Sequence, residues 1–258
     1  MTTSTLSPQT LECIDRYLNM TIGSATTPVL YFNNKTTGRR GALAVHVGKG
    51  TPDDISQEVI TILFKKKIPV DTLTSESLRM IMSEHHIGID CSGFVYQTLN
   101  VESISRGQGS LRTHLSFKNR GLLGSLSARM HPEKNASVIV FADDTNSLPV
   151  TLADVLPGDL IVMIGTSQAA DRDHILLIHR IDYDESSRPS RLHYSHSVAH
   201  PEDGLYGTGV RQGTIDLSPL HSSLLDASWQ ENGLTGDTNR TLLKARSSQT
   251  SIRRIHWK

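Results

Sequence analysis

"IGIDCSGFVYQTLN", Ile87 to Asn100, sets one of the chain's two cysteines between an aspartate and a Ser-Gly pair, then continues into an apolar run. Phe94, Val95 and Leu99 suit a short helix that begins at or beside Cys91. Unpaired backbone N–H groups and the dipole at a helix N-terminus favour negative charge, so the thiol is expected to have a lowered pKa and to act as a nucleophile. The same amides would stabilise the oxyanion of an attacked carbonyl. Gly93 would let a substrate approach the backbone.

Upstream the chain reads as helical. Ser7 and Pro8 start a helix that places Leu11, Ile14 and Leu18 on one face, with Cys13 as core packing. Thr51 and Pro52 start a second, apolar at Ile55, Val59, Ile60 and Leu63 and ended by "KKKIP"; a third runs from Ser75 to about His85. Downstream, "DLIVMIG", "HILLIHRIDY", "RLHYSHSVA", "GVRQGTIDL" and "SIRRIHW" are apolar or alternating runs divided by turns, which read as antiparallel strands. Helices first and strands afterwards predict an α+β domain, with the Cys91 helix packed on an antiparallel sheet.

A nucleophilic cysteine needs a base and a group that orients the base. His174 opens "HILLIHRI", whereas His179, five residues on, points to the other face. On the next strand His193 and His196 are three apart, so only one of them can reach His174. The zinc-like spacing of His193, His196 and His200 is broken by the same alternation, and no metal or cofactor is expected. His85 and His86 read as polar residues at a helix end.

"DCSGFVYQ", "LPGDLIVM", a strand opened by His174 and a strand carrying "HYSHS" together resemble the NlpC-type family of cell-wall cysteine peptidases, over about Ile87 to Leu217. The resemblance implies a papain-like fold, with Cys91 as nucleophile, His174 as general base and acid, and a polar residue on the next strand as orienter. His196 is favoured over His193 because "SHS" stands shortly before the Gly-rich "EDGLYGTGV". Asp90, Ser92 and Gly93, which flank the thiol, are expected to bind substrate. The implied reaction is hydrolysis of amide bonds in peptidoglycan stem peptides, of the γ-D-glutamyl-diamino acid type, through an acyl-enzyme. Acyl transfer, or non-catalytic binding of cell-wall peptides, would use the same scaffold. Residues 1–70 are then an N-terminal helical extension packed on the core. Residues 71–258 form the peptidase domain, with an insertion near 101–150 that shapes the substrate groove.

Composition bounds the partners. With 258 residues, 37% hydrophobic and 20% charged, the chain is an ordinary globular protein. Its 26 basic and 26 acidic residues cancel, so no global field favours nucleic acid. A peptidoglycan or muropeptide partner is compatible with that balance. Two cysteines build no disulfide framework, and no apolar run approaches the length of about 18 residues that reads as a membrane span. The N-terminus lacks a secretory signal, which reads as cytoplasmic, with delivery to the wall by another route. Nothing in the sequence fixes an oligomeric state.

Overall fold

Local signals place the helices. The computed structural model describes residues 2–33, 43–117, 131–165, 173–200, 204–218 and 223–257. After strand β1 (Thr2–Thr5), helix α1 (Pro8–Leu18) begins where Ser7 Oγ accepts the Thr10 amide at 3.3 Å. A two-stranded hairpin, β2 (Met20–Ile22) and β3 (Ala25–Thr27), turns at Gly23 with a left-handed φ of 60°. A reciprocal capping box between Thr51 and Asp54 starts α2 (Pro52–Lys66), and Thr74 caps α3 (Ser75–Glu84). Asp90 caps α4 (Cys91–Ser105). Along α2 the buried face is Ile55, Val59, Ile62 and Leu63. Ile60, expected inside, is 48% exposed, because the helical repeat passes through Ile62 instead.

The described part of the 101–150 segment holds the short helices α5 (Pro132–Asn135) and α6 (Val138–Ala142) and strand β4 (Ser147–Val150). Residues 118–130 of that segment, where part of the expected groove would lie, fall outside the described residues. There follow β5 (Leu160–Gly165), β6 (His174–Tyr183), β7 (Pro189–Val198), β8 (Gly209–Asp216), β9 (Ser228–Glu231), β10 (Leu234–Thr235), α7 (Arg240–Arg246) and β11 (Ser248–Ile255). Among the described residues nine strands form one sheet in the order β10-β9-β8-β7-β6-β5-β11-β4, with β1 added beside β6. Every pairing in it is antiparallel. The chain is therefore α+β, as the order of elements predicts. The segregation is less strict than expected, since β1 precedes every helix and α7 interrupts the last strands.

Strand alternation gives the sheet two buried faces. Leu160, Val162, Ile175 and Leu177 pack with Phe94, Val95 and Leu99 of α4 and with Ile14 and Tyr17 of α1. Ile161, Met163, Leu176, Ile178, Tyr194 and Trp229 face the other way, against Leu242 and Ala245 of α7. His174, paired with Met163, belongs to this second face. No helix among the described residues is long and apolar enough to cross a membrane.

The first 33 residues contribute sheet as well as helix, which corrects the expectation of a purely helical extension. Thr5 pairs with Arg180 and Thr2 with Tyr183. Immediately afterwards, the buried Glu102 of α4 takes the Ser7 amide at 2.9 Å, Thr10 Oγ1 at 2.7 Å and Arg106 Nε at 2.5 Å. Glu102→Ala removes the acceptor of the Ser7 amide and of the Thr10 hydroxyl, and we expect it to cost about 1.5–3 kcal/mol in urea unfolding, the range for hydrogen bonds to a charged group. An unchanged midpoint would show that α1 is held elsewhere.

Candidate active site

The chain entering α4 is held before Cys91 is reached. The Asp90 amide donates to Gly48 O at 2.9 Å, and Ser197 Oγ of β7 donates to Ile89 O at 2.7 Å. Asp90 Oδ1 then accepts the Gly93 amide at 2.6 Å, Ser92 Oγ at 3.0 Å and Lys49 Nζ at 2.7 Å. Lys49, buried at 5% exposure, also donates to Ser92 Oγ at 2.7 Å and Ala136 O at 3.0 Å. Its own carbonyl takes Gln97 Nε2 at 2.7 Å. Asp90, Ser92 and Gly93, expected beside a substrate, are thus turned inward. Gly93 is small for a different reason from the one expected: a Cβ there would stand 2.3 Å from Gly48 O.

The backbone amides of Ser92 and of Ile175, the residue after His174, lie near the Cys91 sulfur and favour its anion. Its thiol is pushed up to about 12, first by burial and then by the Asp90 carboxylate; Lys49 and the two amides pull the other way without prevailing. This reverses the expected direction. The same end of the helix that offers a favourable dipole also carries the capping carboxylate, and Cys91 as a whole is only 5% exposed. At neutral pH Cys91 rests as a thiol. Cys13, in the core, is raised to about 11, chiefly by burial.

A chain of buried groups starts at His174. His174 Nε2 lies 2.7 Å from His196 Nδ1, and His196 Nε2 lies 2.9 Å from Glu231 Oε2. The same carboxylate takes the Tyr194 hydroxyl at 2.8 Å and Thr241 Oγ1 at 3.1 Å, and Arg211 Nη1 stands 3.6 Å from Oε1. Burial works against its ionisation, but His196, Tyr194 and Arg211 outweigh it and hold Glu231 at about 2. An ionised carboxylate only accepts, so His196 donates from Nε2, and as a neutral ring it offers a lone pair at Nδ1. His174 must then donate from Nε2, which leaves its Nδ1 as the basic atom. Burial, with the His196 ring next, lowers His174 well below the ordinary imidazole value.

The two rejected histidines stand on the opposite face. His193 Nε2 meets Asp182 Oδ2 at 2.8 Å, and His179 Nδ1 meets Ser195 Oγ at 3.0 Å. Alternation along β6 and β7 therefore sorts the four rings as the sequence indicates, bringing His174 to His196 and keeping both from His179 and His193. Two members of the site were not foreseen, Glu231 and Lys49. The signal for Glu231 was an acidic residue at the same alternation as Trp229 in "SWQE"; Lys49, between two glycines, carries no periodic signal.

Two measurements follow from these charges. Native protein at pH 7 should react with iodoacetamide slowly at both Cys91 and Cys13, and rapidly at both in urea; fast native labelling of Cys91 would mean that its thiolate is populated at rest. Acid should act on stability in two stages. His174 and His179, the latter lowered to about 4 chiefly by burial, are neutral in the fold and take protons on unfolding, so stability present above their ordinary value of 6.5 is lost as the pH falls below it. Glu231 adds a second loss from its ordinary 4.5 down to about 2. Melting temperatures that stay flat from pH 7 to 4 would contradict the first stage.

No family model, curated protein or solved structure matches the chain.

Proposed function

We propose that the chain is a papain-like cysteine amidase of the NlpC type, hydrolysing amide bonds in peptidoglycan stem peptides with Cys91 as nucleophile. The observation that carries this reading is the run of hydrogen bonds from Glu231 through His196 to His174, which ends one residue before Ile175, whose amide lies near the Cys91 sulfur. A buried acceptor chain of this polarity leaves the His174 lone pair on Nδ1, an arrangement that a core histidine does not need.

Because the resting pair is thiol and neutral imidazole, the proton has to leave Cys91 for His174 Nδ1 while the sulfur–carbon bond forms. First-turn amides of α4 not taken by Asp90 would receive the developing oxyanion. The imidazolium is stabilised through His196 by the Glu231 carboxylate, and it gives its proton to the leaving amine as the carbon–nitrogen bond breaks. Water then attacks the thioester, His174 takes its proton, and Cys91 departs as the thiol. Stem peptides of the γ-D-glutamyl-diamino acid type are the substrate class that the motif resemblance suggests.

A second reading, a module that binds cell-wall peptides without cleaving them, draws on one observation, the burial and raised pKa of Cys91. Mass analysis of muropeptides incubated with the protein separates the two. Hydrolysis in the wild type and none in Cys91→Ala supports the amidase; binding with no turnover in either supports the module. Within the amidase reading, His196→Ala should lower kcat by about 100-fold or more, the scale of positioned acid–base machinery, and His193→Ala by less than about tenfold. Glu231→Gln should lower it by at least about tenfold through loss of tautomer control. A His193 effect larger than that of His196 would remove the relay from the mechanism.

A further inference from the structure

Lysine is seldom buried unless its ammonium is fully partnered, and Lys49 meets that condition with a carboxylate, a hydroxyl and a carbonyl, all within 3.0 Å. None of these partners is needed merely to start a helix, since a neutral asparagine or serine caps as well as aspartate. The chain instead places a carboxylate at the cap of the Cys91 helix and a buried ammonium against it. The segment bearing that ammonium is fastened to the start of α4 by Gln97 on its carbonyl and by the Asp90 amide on Gly48 O.

The groups facing Cys91 are Asp90 on its own helix, Lys49 from the Gly48–Gly50 segment and the Ile175 amide on β6, with His174 next to that amide and His196 and Glu231 behind it. Among them Asp90 disfavours negative charge on the sulfur and Lys49 favours it. We propose that Lys49 is a positioning residue of the site, acting through Asp90: it fixes the first turn of α4 and cancels the capping charge as negative charge develops on the Cys91 sulfur. This rests on Cys91 being the nucleophile of the proposed amidase.

The sign of the effect separates this role from a purely structural one. Breaking the ion pair from either side disturbs the same contacts, but the two single variants leave opposite charges beside the sulfur. Lys49→Met leaves Asp90 and should slow alkylation; Asp90→Asn keeps the cap, leaves Lys49 and should speed it. One pKa unit of the thiol corresponds to roughly tenfold in thiolate.

The experiment is iodoacetamide labelling of the full chain between pH 7 and 10, read at the Cys91 peptide by mass spectrometry, with melting temperatures recorded in parallel. We expect the Lys49→Met profile to move to higher pH and that of Asp90→Asn to lower pH, by roughly tenfold in rate each. The double variant should return to within about threefold of the wild type, well inside that tenfold step. Shifts in the same direction for both single variants, or none in a folded Lys49→Met, would overturn the proposal. Should Lys49→Met fail to fold, Asp90→Asn against the double variant isolates the lysine, and equal rates there would overturn it. Labelling needs no substrate, so missing muropeptide turnover in the wild type would sink the proposed amidase while the charge effect of Lys49 is still read.

Discussion

A carboxylate that is buried and yet ionised has to be surrounded by donors, and Glu231 imposes this on a large part of the molecule. Its partners come from β7, β8 and α7, so the strand carrying His196, the neighbour carrying Arg211 and the helix that covers the far face are drawn to one point. The interaction also has a direction, because an acceptor at one end fixes every tautomer up to the other. The unreactive half of the sheet thereby determines which atom of His174 is basic.

The site lies where two strands part. The pairing of β6 with β7 runs from Tyr183↔Pro189 to Leu177↔Ser195, and beyond it the two strands are linked by the rings of His174 and His196. The start of α4 is tied to this opening through Ser197 on Ile89, and the Ile175 amide lies near the Cys91 sulfur. Alternation puts Ile175 and His174 on opposite faces, so this opening joins the layer that holds Cys91 to the layer that holds the His174 ring.

What could be read in the sequence follows the range of the forces involved. Ser7, Thr51, Thr74 and Asp90 each act on the amide three residues away, so the starts of four helices were legible. The facing of His174, His179, His193 and His196 needed only a period of two. Lys49 was not legible and Glu231 had only its alternation with Trp229 to mark it, since their partners lie up to 87 residues away. The thiol was misjudged because a helix dipole is a local quantity, whereas the burial that outweighs it is created by the whole fold. The strand at the extreme N-terminus was missed for the same reason, its four polar residues being extended only because β6 accepts them.

That first strand has a consequence for how copies of the chain meet. One edge of β6 is shared, with β5 on His174 to Leu177 and β1 on Arg180 to Tyr183. Without β1, the second stretch would present a row of unsatisfied amides and carbonyls to any extended chain that came near, the template from which strand-to-strand aggregation grows. Thr2 to Thr5 therefore act as a seal. Four residues that contribute no apolar side chain to either core protect the strand that begins with His174 from recruiting a neighbour.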